Sequence, residues 1–185
     1  MKMKIKFKNL KTPLTEREIK KLKIGDIIYL SGKIFTARDK AHKRILEFLK
    51  EKKELPFNLN NGVIFHAGPI TIKENKQWKI FGLGPTTSSR MNSFAKKVIS
   101  EFKIKAIIGK GGMNKKIFKE NKSCIYLSMI GGTSAINLKK IKSVEKVYWE
   151  DLGLAEAVYK LKVKNFGPLI LTIDSKGNSL YERKE

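Results

Sequence analysis

Two loops constrain this chain more than any other part of it. Gly84-Pro85-Thr86-Thr87-Ser88-Ser89-Arg90 and Gly109-Lys110-Gly111-Gly112-Met113 each follow a short apolar run and precede a helical pattern. A strand that runs through a glycine turn into a helix is the building unit of layered α/β structure. Such a turn presents backbone N–H groups, glycine lets a ligand come close to them, and a helix start favours negative charge. Arg90 adds a planar fork suited to a carboxylate, and Lys110 adds a point charge. Either loop alone also reads as a tight turn. Together they point to a site for a small anion.

The other apolar runs fill in the layers. Residues 3–7 alternate lysine with bulky side chains, as an edge strand does. Thr15-Glu16-Arg17-Glu18 has the form of a capping box opening a short helix to about Leu22. Strands are expected at 27–30 (ended by Ser31-Gly32), 63–66, 106–108, 125–129, 144–149 and 169–173. A hairpin pairs 70–73 with 78–83 across Glu74-Asn75-Lys76. Helices are expected over 38–52 and from the first loop to Phe102, each with one apolar face, and also at 113–120 and 154–161. Ser175-Lys176-Gly177-Asn178 should turn into a closing strand near Leu180. An antiparallel-looking first half followed by alternating strands and helices predicts an α/β fold of mixed α+β layers, in one domain over 1–185.

Composition serves mainly to exclude. Apolar residues are 41% and charged residues 31%, and no apolar stretch approaches the roughly 20 residues a membrane helix needs. The N-terminus lacks the apolar core of a signal peptide, so a cytoplasmic protein is expected. A lone Cys124, set in an apolar run, can form no internal disulfide and can anchor neither a cluster nor a structural zinc; metal ligands in this chain are expected to be none. The charge of +23 is spread along the chain without interleaved aromatics, which argues against nucleic acid as a partner.

Three further constellations bear on chemistry. In Arg38-Asp39-Lys40-Ala41-His42, Arg38 and His42 share a helix face, and Asp39 is close enough to reach His42. A carboxylate beside a histidine can fix its tautomer and raise its basicity, so Asp39 and His42 are candidates for proton transfer; the same residues also suit an exposed, charged first turn. His66 ends an apolar strand before Ala67-Gly68-Pro69 and reads as a core histidine. Gly131-Gly132-Thr133-Ser134 is a weaker third loop of the same kind. Gly109-Lys110-Gly111-Gly112 is also similar to the Gly-x-x-Gly loop of KH RNA-binding modules. Lys115 stands where the helix of that module carries an apolar residue. No Walker loop and no dinucleotide glycine pattern is present.

Taken together, these motifs resemble the beta subunit of class I, iron–sulfur-dependent fumarate hydratase and its relative L(+)-tartrate dehydratase. The resemblance runs from Gly25-Asp26-Ile27-Ile28-Tyr29-Leu30-Ser31-Gly32, through Ala37-Arg38-Asp39 with His42, Phe65-His66-Ala67-Gly68-Pro69 and both anion loops, to Phe166-Gly167-Pro168-Leu169. It implies a swivelling β/β/α domain that closes over an alpha subunit carrying a four-iron–four-sulfur cluster, in a heterodimer or a dimer of heterodimers. The cluster's open iron would act as Lewis acid while a base works on the adjacent C–H. It further implies that Arg38, Arg90 and Lys110 are carboxylate ligands, that Thr86 contacts the substrate and takes part in catalysis, and that His42 is an acid/base candidate. A free hydroxyl is a poor base without an activating neighbour, so positioning or relay is the first role for Thr86. The implied reaction is the reversible dehydration of (S)-malate to fumarate. Dehydration of L(+)-tartrate is the near alternative, and a KH-like RNA-binding protein the alternative of another class.

Overall fold

The computed structural model describes residues 6–75, 77–132 and 134–181. Residues 3–5 of the expected first strand lie outside them, as do Lys76 of the hairpin turn and Thr133 of the third glycine loop. The architecture is α/β. Strands β1 (Phe7–Lys11), β2 (Ile27–Thr36), β3 (Val63–Phe65), β6 (Ala106–Gly109) and β7 (Ile125–Ser128) run parallel, and β9 (Val158–Ile173) runs against them. The hairpin of β4 (Ile70–Glu74) and β5 (Gln77–Gly82) stands apart, and β8 (Ile141–Tyr148) borders β9. The sheet order is β1-β2-β3-β6-β7-β9-β8, and β2 pairs with β9 as well. β2, β3, β6, β7 and β9 therefore close on themselves in a ring.

Strand alternation divides the core in two. In β3, β6 and β7 the residues Val63, Phe65, Ala106, Ile108, Ile125 and Leu127 face the inner cluster with Tyr159, Leu161 and Phe166. Their neighbours Ile64, Ile107 and Tyr126 face outward, towards the helices. That period of two is what a pleated strand buried on both faces requires. Covering the outer side are α2 (Asp39–Lys50), α3 (Asn92–Phe102) and α4 (Lys115–Asn121), through Ala41, Ile45, Ala95, Val98, Ile99, Ile117 and Phe118. Each fully buried Ile, Leu or Phe stabilises the fold by about 1.5–3 kcal/mol. A short α1 (Glu16–Lys20) opens on the expected capping box, with Thr15 and Glu18 exchanging side-chain to backbone bonds.

Five elements differ from expectation. β2 does not stop at Ser31-Gly32 but continues to Thr36. Gly32, at φ +110°, sits in a register shift opposite β9, and a Cβ there would overlap the Thr12 hydroxyl. It marks a bulge, not an end. The helix expected over 154–161 is absent; β9 starts at Val158, and Ala157, Tyr159, Leu161 and Val163 alternate inward between exposed or half-buried lysines. Apolar spacing in that stretch fits both periods, and the lysines at 160, 162 and 164 decide for two. α5 (Ser134–Leu138) follows the third glycine loop without a sequence signal strong enough to expect it, and β8 begins at Ile141 rather than 144. Near Leu180 there is one bridge, Ile173 to Ser179, with the Leu180 N–H on the Thr172 carbonyl at 2.9 Å, in place of a full strand. No helix among the described residues is long and apolar enough to cross a membrane.

Candidate functional site

The C-terminal ends of the adjacent parallel strands β2, β3 and β6 bring the predicted residues together. Beyond β2, Ala37 leads into Arg38, the N-cap of α2, and Asp39, its first residue. His66 follows β3, and the β4–β5 hairpin returns the chain to the same place through a bridge between Ala67 and Pro85. Thr86 and Thr87 then run beside Lys110 at the end of β6. A single 3-10 turn (Ser88–Met91) carries Arg90 and opens α3.

Backbone bonds fix the loops to one another. The Thr86 N–H donates to the His66 carbonyl at 2.7 Å, and the Lys110 N–H donates to the Thr86 carbonyl at 3.1 Å. The Lys110 carbonyl accepts from the Ser88 N–H at 3.1 Å and from the Tyr126 hydroxyl at 3.1 Å. Lys110 thus has a pinned backbone and an exposed side chain with no carboxylate partner among the described residues. Gly111 and Gly112 are overlain by Tyr181, whose hydroxyl bonds the Gly111 carbonyl and whose ring lies where a Gly112 Cβ would point.

The charged groups form two linked pairs. Arg90 Nη2 donates to Asp39 Oδ2 at 2.7 Å and to Thr86 Oγ1 at 3.2 Å. Arg38 Nε stands 3.4 Å from Glu156 Oε1, an ion pair without hydrogen-bond geometry, while Glu156 Oε2 accepts the Lys40 N–H at 2.9 Å in the first turn of α2. Three cations, Arg38, Arg90 and Lys110, therefore meet two carboxylates. The side chains of Arg90 and Asp39 are 47% and 39% exposed, so the cluster is open on one side. An ion pair that exposed contributes little stability. Its geometry matters for what it can hold.

His42 is placed differently from the expected proton shuttle. Asp39 bonds Arg90, and His42 Nδ1 instead lies 2.9 Å from the Arg38 carbonyl one turn back. A carbonyl only accepts, so Nδ1 carries the proton. The ring is wholly buried, its edge-to-face neighbour at 5.0 Å is His66, and neither Nε2 has a hydrogen-bond partner. Burial holds the His42 pKa below the ordinary imidazole value, against the opposing pull of the Arg38 carbonyl and Asp39. Burial and then the neighbouring His42 hold His66 well below it. Both rings are neutral at neutral pH.

An iron–sulfur cluster does not fit these residues. Among the described residues no three His, Cys, Asp or Glu side chains stand where they could hold a metal. Cys124 is buried, and burial pushes its thiol away from the thiolate form a cluster needs. The KH-like reading of the glycine loop also finds little room, because Gly109 is a strand residue packed on Ser88 and Gly112 lies under Tyr181. Sequence reasoning missed Glu156, Ser88 and Tyr181. Glu156 lies more than a hundred residues from its partner Lys40, with no local pattern to announce it.

The model of the family described as fumarase C-terminus matches residues 2–184. Over 172 residues the chain is 51% identical to "Putative L(+)-tartrate dehydratase subunit beta" of Methanocaldococcus jannaschii, covering 91% of this chain and 88% of that protein. It is 37% identical over 175 residues to the L(+)-tartrate dehydratase subunit beta of Escherichia coli, covering 94% and 86%. A further match, 38% over 176 residues, is to "Putative fumarate hydratase class I" of Geobacillus stearothermophilus and spans 94% of this chain but 33% of that longer protein.

Proposed function

Because the chain belongs to the fumarase C-terminus family, we propose that it is the dicarboxylate-binding beta subunit of a heteromeric hydro-lyase interconverting (S)-malate and fumarate. The observation that carries this reading is the convergence of Arg38, Thr86, Arg90 and Lys110 on neighbouring strand ends, open towards solvent on one side. An alpha subunit would close that side and carry the iron–sulfur cluster, for which this chain has no ligands among its described residues.

Within this chain, Arg38, Arg90 and Lys110 hold the two carboxylates and offset charge that grows in the transition state. Thr86 accepts a hydrogen bond from Arg90, so its own O–H is left to donate to the substrate. A guanidinium donating to that oxygen also stabilises its deprotonated form, the activation a hydroxyl needs for relaying a proton. Asp39 orients Arg90. His42, buried and neutral, takes no proton from the substrate; it fixes the carbonyl of Arg38 and with it the entry to α2.

The names of two relatives favour a second reading in which L(+)-tartrate is the substrate. The test is co-expression with the alpha subunit, followed by anaerobic assays of malate, fumarate and tartrate. Faster turnover of tartrate selects the second reading. Turnover of malate by this chain alone, with no iron present, removes the need for a partner and sinks both.

A further inference from the structure

His66 is connected to the site from both of its ends. Its carbonyl accepts the Thr86 N–H at 2.7 Å, and its Nδ1 lies 2.8 Å from Ser88 Oγ. The Ser88 N–H donates to the Lys110 carbonyl, and the Lys110 N–H donates to the Thr86 carbonyl, both at 3.1 Å. The path leaves His66 by its backbone, passes through Thr86, Lys110 and Ser88, and returns to the imidazole. Thr86 and Lys110 are thus bonded to each other directly and linked a second time through Ser88 and His66.

The surroundings are built for this circuit. His66 and Ser88 are each wholly buried. Gly109 leaves the space that the Ser88 hydroxyl fills, because a Cβ there would overlap it. The His66 N–H is spent on the Ile108 carbonyl at 2.8 Å, tying the same residue to β6. Removing the imidazole would take from the buried seryl hydroxyl its bond to His66 and leave it only the neighbouring Tyr126 hydroxyl.

We propose that His66 is a positioning residue, whose ring acts through Ser88 to hold Thr86 and Lys110 at a fixed mutual distance. The proposal rests on the reading of those two residues as substrate ligands. It assigns the function to Nδ1 and none to Nε2. A neutral ring suits the task, since its bond to Ser88 does not change with protonation near neutral pH.

The nitrogen assignment provides the test. An asparagine amide reaches roughly the place of Nδ1, and a glutamine amide roughly that of Nε2. In the assembled enzyme, His66→Asn should keep kcat/KM within about threefold of wild type, while His66→Gln and Ser88→Ala should each lower it about tenfold or more. The double variant His66→Gln with Ser88→Ala should be no worse than either alone, because both cut one circuit.

Hydrogen exchange supplies a readout that does not depend on activity. In Ser88→Ala, which deletes one oxygen and keeps the fold, the amides of Thr86, Ser88 and Lys110 should lose protection, while those of Val98 and Ile99 in α3 keep theirs. Unchanged exchange at the three loop amides overturns the proposal, as does equal activity of His66→Asn and His66→Gln. Arg90→Lys and Lys110→Met serve as controls. If they too run at wild-type rate, the site reading has failed; if they are impaired while Ser88→Ala is not, only the positioning role has.

Discussion

Thr86 Oγ1 lies 3.2 Å from Arg90 Nη2, the nitrogen that also holds Asp39 at 2.7 Å. An Nη carries two hydrogens, and both are engaged. Both two-pronged forks of a guanidinium that use Nη2 are therefore occupied before any ligand arrives. A substrate carboxylate must either share that nitrogen with Asp39 or take Nη1 and Nε singly.

Replacing Arg90 by lysine keeps the charge but cannot serve Asp39, Thr86 and a carboxylate from one plane. Arg90→Lys should lower kcat/KM by about a hundredfold, in the range expected for loss of a charge-assisted contact. Steady-state kinetics on the reconstituted complex, with circular dichroism to verify folding, reads this directly.

In the proposed site, Asp39 would compete with a substrate carboxylate for Arg90. Because the pair is more than a third exposed on both sides, its strength is about 0.2–1 kcal/mol. Asp39→Ala should accordingly tighten competitive inhibition by an unreactive dicarboxylate, by about 1.4- to fivefold. Weaker inhibition would mean that orienting Arg90 matters more than competing for it.

Lys110 offers a choice between two kinetic outcomes. If its ammonium meets charge that grows in the transition state, Lys110→Met lowers kcat by about a hundredfold or more. If it binds ground and transition states alike, the change falls on KM. The backbone anchors of Lys110 make the first outcome the expected one. Near-wild-type values for both constants would show the loop to be a structural turn.

Gly68 keeps the space for Arg38. A Cβ at this position would come within 2.5 Å of Arg38 Nη1 and 2.6 Å of the Ala155 carbonyl. The backbone oxygen cannot swing away as a side chain can, so Gly68→Ala should displace the guanidinium. Expected are a KM several-fold higher and a Tm lower by a few degrees, the response to about 1 kcal/mol. Unchanged KM would place Arg38 outside the binding surface.

Acid stability follows from the two histidines, the only ones in the chain. Both have folded pKa values below the ordinary imidazole value of about 6.5. The unfolded chain thus binds more protons than the folded one once pH falls through about 6.5, so stability is present above that value and lost below it. The loss is at most about 1.4 kcal/mol per pH unit for each ring. Carboxylates held low by their partners, Glu18, Glu145 and Asp151 among them, add their losses only at lower pH. Urea unfolding from pH 7.5 to 5 should show this slope, and His66→Asn should reduce it by about half. A flat profile would place both rings in contact with solvent.

The strand-loop-helix units were legible in the sequence because each is local. Glycine and hydroxyl residues end an apolar run, and a 3.6-residue pattern follows. Arg90 and Lys110 stand beside such turns and could be named for that reason, whereas Arg38 was named through the family resemblance. The closure of β2 on β9 was not legible, since pairings such as Ile27 with Ile170 join distant parts of the chain. Glu156 escaped for the same cause. His66 was assigned to the core correctly as to burial, but its ring bond to Ser88 depends on a loop that returns only after the β4–β5 hairpin.

Parallel strands also act as a ruler. Their separation is set by backbone hydrogen bonding at about 4.8 Å, whatever side chains they carry. The ends of β2, β3 and β6, three neighbours in one sheet, therefore span about 10 Å. Anchors rooted on the two outer strands have a gap between them that point mutation in the barrel does not alter. If the rim binds a diacid as proposed, a change in the preferred length would have to come from the reach of Arg38 and Lys110, or from the loops that carry them.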